Sequence, residues 1–198
     1  MVMKYSTLNL GQIEALGNIL GGEDNIVDIL RGNIKVTLER VSFPVWMTVE
    51  IGGHPKEELV PLLERDGFFV SDWAKYMMRQ DAFTTLPEQQ KLKLARCKVR
   101  DLGFTERPTT AQLQQRVKER GGKLCPAELG PHLRRQLKDQ RNGDIFWLVM
   151  EQIADSRGDP RVFELYRDDD GERWLDGSCV NPGVRWLLGH EVVFVLAN

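Results

Sequence analysis

The chain has 198 residues, of which 41% are hydrophobic and 28% charged, with a formal net charge of −2. That length suits one ordinary domain or two small ones, and the composition argues against disordered, collagen-like and membrane-embedded classes. No apolar run approaches the roughly 20 residues that span a bilayer, and the start "MVMKYSTLNLGQIEALG" has no continuous apolar core of a secretory leader. A cytoplasmic location is therefore expected, with no membrane partner.

Leu10, Ile13, Leu16 and Leu20 recur at helical spacing, and a second short helix is predicted after Gly21-Gly22, with Ile26, Val27 and Leu30 apolar and a stop at Arg31-Gly32. This makes residues 1–32 a helical N-terminal segment and residues 33–198 an α+β domain. Strands are expected at "IKVTLERV" (34–41) and "VWMTVEI" (45–51), broken at Phe43-Pro44. "HPKEELVPLLERDG" places Pro55 and the acidic Glu57-Glu58 at a helix start, and Ser71 caps a further helix in "SDWAKYMMRQ".

In "QKLKLARCKVRDLGF" Leu92 and Leu94 share one face while Cys97 and Val99 take the other, so the alternation slips near Ala95. That slip predicts a β-bulge or an edge strand. "TTAQLQQRVKERGG" reads as a threonine-capped helix stopped by Gly121-Gly122, within a basic helical part of about residues 106–141. From residue 142 onward, "IFWLVMEQI", "RVFELY", "RWL" and "EVVFVLA" predict an antiparallel meander packed on helices, with Asp170-Gly171 as a hairpin tip. The fold class expected is α+β: a helical N-terminal segment, a mixed α/β middle and this C-terminal meander.

The net charge hides a pattern. Residues 1–88 carry 8 Lys/Arg against 13 Asp/Glu, residues 89–141 carry 14 against 5, and residues 142–198 carry 5 against 11. A basic block between acidic flanks is either neutralised within the fold or offers a face that attracts anions. Two basic helices around the Gly121-Gly122 turn supply the second reading. Arg116, Lys118, Arg120 and Lys123 come from the first helix and its turn, and Arg134, Arg135, Lys138 and Arg141 from the second helix and the residues after it. Their order resembles a helix-turn-helix, although Gly130-Pro131 would interrupt a recognition helix. Phe104 is the one aromatic residue between 89 and 141, so a base-stacking surface is poorly supported and the expected contacts are to nucleic-acid backbone or to an acidic protein.

An enzymatic alternative, a small hydrolase or transferase, has weak candidates in Cys125, His132, Glu151 and Asp155. Cys125 precedes Pro126, so its thiol would sit at a helix N-cap, where the dipole lowers a thiol pKa. His132 could complete a pair only if Gly130-Pro131 folded the helix, since seven residues of helix separate the two groups by about 10 Å. Glu151 with Asp155 would be an acid pair. Cys97, Cys125 and Cys179 are odd in number and widely spaced, which reads as reduced thiols. Neither calcium-loop frame in the acidic stretch from Ala154 to Leu175 places the required ligands, and no phosphate-loop, dinucleotide or zinc-protease motif occurs, so no metal or cofactor is expected.

The segments "LCPAELGPHLR" and "VMEQIADSRGD…RDDDGERWL" resemble those of a group of bacterial proteins that share C-P-A-E-x-G-P-x-L-R followed by M-E-x-I-x-D-S-x-G-D. The likeness covers the C-terminal two thirds of the chain and, more weakly, "LGQIEALGNILGGEDNIVDILRG". It implies a bacterial origin and a recurring fold. Several members have Asp where this chain has Arg157, a departure that removes a would-be metal ligand from that loop.

Overall fold

The computed structural model describes residues 9–37 and 43–197 and divides the chain into two units between residues 41 and 42. The chain is an α+β protein. The first unit holds α1 (Leu10–Ile19) and α2 (Glu23–Arg31). Asn9 and Gln12 form a reciprocal capping box at the start of α1, and Gly32 ends α2 at φ 79°, a conformation that favours glycine. Neither helix buries a residue: Leu10, Ile19 and Leu30 are all at least 80% exposed. The apolar spacing seen in the sequence thus predicts the helices without predicting burial. The strand expected over 34–41 lies partly outside the described residues, and its described part, 34–37, is not extended into a sheet.

The second unit is one nine-stranded sheet with helices on both faces. Its strands are β1 (Met47–Ile51), β2 (Phe69–Val70), β3 (Gln90–Lys98), β4 (Gly122–Lys123), β5 (Ile145–Leu148), β6 (Ile153–Ala154), β7 (Pro160–Arg167), β8 (Arg173–Cys179) and β9 (Glu191–Leu196). Their order is β1-β3-β9-β5-β7-β8-β2, with β4 beside β9 and β6 beside β7. The run β5-β7-β8 is antiparallel as expected, but β9, expected to continue that meander, instead lies between β3 and β5 and runs parallel to β5.

The slip at Ala95 has a cause other than a bulge. Residues 90–94 pair with β1 and residues 94–98 with β9, in continuous register, so the strand changes partner where its apolar face changes. Leu94 and Ala95 are both fully buried because both faces of the sheet are covered there. This corrects the expected edge or bulge.

Alternation assigns the two faces. Phe146, Leu148, Phe163, Leu165, Leu175 and Val193 point one way, towards α3 (Lys56–Arg65), α4 (Asp72–Arg79) and α6 (Leu129–Gln136). Gly130 in the first turn of α6 lets that helix lie on Phe163, since a Cβ there would stand 2.8 Å from the ring. Gly130-Pro131 therefore starts the helix close to the sheet and does not break it; proline is tolerated in a first turn. Trp147, Val192 and Phe194 point the other way, towards α5 (Thr110–Glu119), where a Cβ on Gly122 would collide with both Phe194 and Val117. Trp186 ties this side together by donating its indole N–H to Thr110 Oγ1 at 3.1 Å while its ring meets Trp147 edge to face.

No helix among the described residues is long and apolar enough to cross a membrane.

Candidate functional site

The eight basic residues do not form one face. Arg116, Lys118, Arg120 and Lys123 belong to α5 and β4, while Arg134, Arg135, Lys138 and Arg141 belong to α6 and the loop after it, and the sheet runs between the two groups. The helix-turn-helix expectation fails for the same reason: the chain leaves α5 through β4 and a bridge between Cys125 and Met150, and α6 then packs on the opposite side. Within the first group, Arg116 lies over Phe104, pairs with Glu119 at 3.2 Å and donates to the Leu102 carbonyl, and Arg120 lies over Phe43. Lys118 and Lys123 are exposed.

The second group contains the unusual residue. Arg134 is fully buried, yet among the described residues no carboxylate forms an ion pair with it. Its Nη1 donates to Gln140 Oε1 and, at 3.4 Å, to the Tyr166 carbonyl; its Nη2 donates to the Leu137 carbonyl at 3.0 Å; its Nε finds no acceptor. Burial, then the nearby Arg173 and Arg167, push its pKa down to about 10, against the pull of Asp144, so it stays charged at neutral pH. Asp144 is itself engaged by Arg96, which grips it with both Nη atoms, holds Glu191 through Nε at 2.7 Å, and sits between the Trp46 and Phe146 rings.

Three cations gather on one ring. The charged groups of Arg134, Lys138 and Arg173 stand 5.4, 5.2 and 5.9 Å from the centroid of Phe68, a buried residue between α3 and β2. Arg167 faces Arg173 directly across the hairpin ladder. Two carbonyls, of Gly171 and Gln140, orient its guanidinium through Nε and Nη1. Among the described residues none of Arg134, Lys138, Arg167 and Arg173 forms an ion pair. Arg135, by contrast, is spent on Asp66 at 2.9 Å, a bond that holds the Asp66 carboxyl below its ordinary range. Arg141 is exposed and lines a separate cleft of about 660 Å³ beside Arg96. Sequence reasoning thus finds Arg134 and Lys138 but misses Arg167 and Arg173. Their pairing was not legible: a two-residue Asp170-Gly171 tip would set Arg167 opposite Trp174, whereas the loop of residues 168–172 turns around Asp169 and Asp170 and sets Arg167 opposite Arg173.

The catalytic candidates do not converge. Cys125 lies before α6 rather than at its cap, is buried, and donates its thiol to the Val193 carbonyl at 3.4 Å. Burial raises its pKa far above an ordinary thiol, so the expected dipole activation is overturned. Asp155 is a structural anchor. It accepts from the Arg157 and Asp159 backbone N–H groups and pairs with Arg161 at 2.8 Å; burial opposes its ionisation, but these donors outweigh it and hold the carboxyl low. Glu151 is exposed, so no acid pair forms with the locked Asp155.

His132 meets Glu128 instead of Cys125, with Nε2 and Oε2 3.8 Å apart and Nε2 without a hydrogen bond. Burial, with help from His54 and Arg135, pushes the imidazole down to about 4, and burial raises Glu128 despite N–H groups donated by Leu86 and Gly52. Among the described residues no group of three or more His, Cys, Asp or Glu stands where it would hold a metal ion.

The other face of the hairpin has the opposite character. Phe69, Trp174 and Tyr166 stack in a row across β2, β8 and β7, with centroids 4.9 and 5.9 Å apart. Around them stand Glu164, Asp168, Glu172 and Asp176, none paired with a Lys or Arg among the described residues. Glu164 accepts from Trp147 Nε1 at 2.9 Å and from the Ser178 hydroxyl, and burial raises its pKa, with Asp176 adding to the rise. Burial and these four carboxylates push Tyr166 up to about 12.

Comparisons with protein-family models, curated proteins and solved structures find no match. The chemistry of the two charged faces is what bears on function. A set of unpaired guanidinium and ammonium groups on an apolar floor can hold an oxyanion through charge-assisted hydrogen bonds.

Proposed function

We propose that this chain is a non-enzymatic interaction protein that seats an anionic group of a partner protein in the cationic cluster formed by Lys138, Arg167 and Arg173, backed by Arg134. The observation that carries this reading is the buried Arg134, which forms no ion pair among the described residues and shares the Phe68 ring with Lys138 and Arg173. A buried charge without a counter-ion is normally avoided, and like charges gathered in one place repel. A bound anion relieves both.

An acidic protein segment suits the cluster better than nucleic acid. The cluster is confined to the end of α6 and the β7-β8 hairpin. A duplex carries a phosphate charge about every 1.7 Å and needs an extended basic track. The α5 lysines cannot extend this one, because they lie across the sheet.

The test is a salt series with a Glu/Asp-rich peptide and, separately, a short DNA duplex, titrated into the full chain. Binding of the peptide that weakens with salt, disappears in the double variant K138E/R173E and survives in K118E/K123E supports the reading. Binding of duplex alone, or peptide binding unaffected by K138E/R173E, overturns it.

A further inference from the structure

Resting on that reading, we infer that the group seated in the cluster is a phosphate monoester on the partner's side chain, rather than a carboxylate. The cluster concentrates four positive charges, from Arg134, Lys138, Arg167 and Arg173, none of which forms an ion pair among the described residues. One carboxylate would cancel a single charge and offer two oxygens. A phosphate monoester brings a charge of about −1.5 to −2 at pH 7 and three acceptor oxygens.

The donors are arranged for several acceptors at once. Arg167 and Arg173 stand directly opposite on neighbouring strands, where like charges destabilise a ladder. A group with oxygens to spare for both guanidiniums turns that repulsion into two charge-assisted contacts. Arg167 keeps Nη2 for such a contact, since Nε and Nη1 are held by the Gly171 and Gln140 carbonyls. Arg173 donates no hydrogen bond within the chain among the described residues, and Lys138 is exposed. Arg134 is too deeply buried to touch the ligand. It is a positioning residue: its hydrogen bonds to Gln140 and the Leu137 carbonyl hold the end of α6, and its charge raises the positive potential beneath the contact groups. The buried Phe68 ring anchors Arg134, Lys138 and Arg173 beside one another.

The experiment uses one acidic peptide with serine, glutamate or phosphoserine at its centre, each titrated calorimetrically into the full chain, with inorganic phosphate as competitor. The phosphoserine form is expected to bind at least about 10-fold more tightly than the other two. That advantage should shrink as pH falls through about 6, where the phosphate takes up a proton. R173A and K138A, both at the rim of the fold, should each remove most of the advantage while leaving the far-ultraviolet circular dichroism spectrum unchanged. Equal binding of the three peptides overturns the phosphate inference and leaves the anionic-partner reading standing. Absence of binding by any of them overturns both. Phosphoserine preference untouched by R173A and K138A places the phosphate elsewhere and overturns the site. Inorganic phosphate that binds as tightly as the phosphopeptide overturns the partner-borne phosphate in favour of the free ion.

Discussion

The two faces of the β7-β8 hairpin carry opposite chemistry from one continuous stretch of chain. Arg161, Arg167 and Arg173 alternate with Glu164, Trp174 and Asp176, so the pleat sorts every cation to the side covered by α4 and α6 and every carboxylate to the side that bears the Tyr166-Trp174-Phe69 row. On the covered side one arginine, Arg161, finds a buried carboxylate in Asp155 and a ring in Trp73, whereas Arg167 and Arg173 stand opposite each other and form no ion pair among the described residues. Period-two alternation therefore creates charged faces as readily as it creates apolar ones, and packing decides which charges are neutralised.

The sharpest test of this contrast is truncation on each face. Phe163→Ala removes a fully buried ring beneath α6 and is expected to lower stability by about 3–5 kcal/mol in urea unfolding. Trp174→Ala on the other face forfeits two ring pairs, an expected loss of about 1–2 kcal/mol. Equal losses would mean that both faces are packed alike.

Arg161→Leu comes next. It strands the Asp155 carboxylate in the interior and leaves the Gly177 carbonyl without its donor, so the melting temperature should fall, whereas Glu164→Gln on the other face should not lower it at neutral pH. A variant as stable as the parent would show that Asp155 reaches solvent once Arg161 is gone.

Smaller effects follow from titration. Glu164 has a raised pKa, so the folded chain holds its proton more tightly than the unfolded chain, and stability falls as pH rises through the range just above the ordinary glutamate value. Glu164→Gln should stabilise the protein at pH 7 and make no difference at pH 3, a crossover that melting curves at the two pH values would reveal. Stabilisation of the same size at both would trace the effect to packing. The least effect at neutral pH belongs to Tyr166→Phe. Because Tyr166 titrates near 12 when folded and near 10 when unfolded, the parent loses stability between those values and the variant should lose less. Parallel alkaline unfolding of the two proteins would show that the carboxylates do not act on Tyr166.

Much of the fold is legible in the sequence because its signals are local. Ser71 and Thr109 cap helices where their side chains meet free backbone N–H groups, Gly32 ends α2 in the left-handed region, and a turn joins the two hairpin strands, one residue off the expected Asp170-Gly171 register. The expected bulge at Ala95 shows the limit of such signals: a change of apolar face looks the same whether the strand is broken or exchanges one neighbour for another. The candidate site was half legible. Arg134 and Lys138 stood out as charges on an amphipathic helix, but helical spacing made Arg134 a surface residue when it is the most deeply buried charge of the cluster. Cys125 misled for a related reason, since Pro126 marks the approach to α6 and not its first turn.

Alone, the sequence determined the elements, their caps and the alternation that separates arginines from carboxylates along residues 161–176. Only the tertiary structure decided that α5 and α6 lie on opposite faces of the sheet, that Arg134 is enclosed with no ion pair among the described residues, and that Lys138 and Arg173 join it over Phe68, with Arg167 opposite Arg173. The reason is range. Capping and alternation act over a few residues, whereas burial and charge pairing are set by segments distant in the chain, and α6, the hairpin and Phe68 meet only when the sheet has closed.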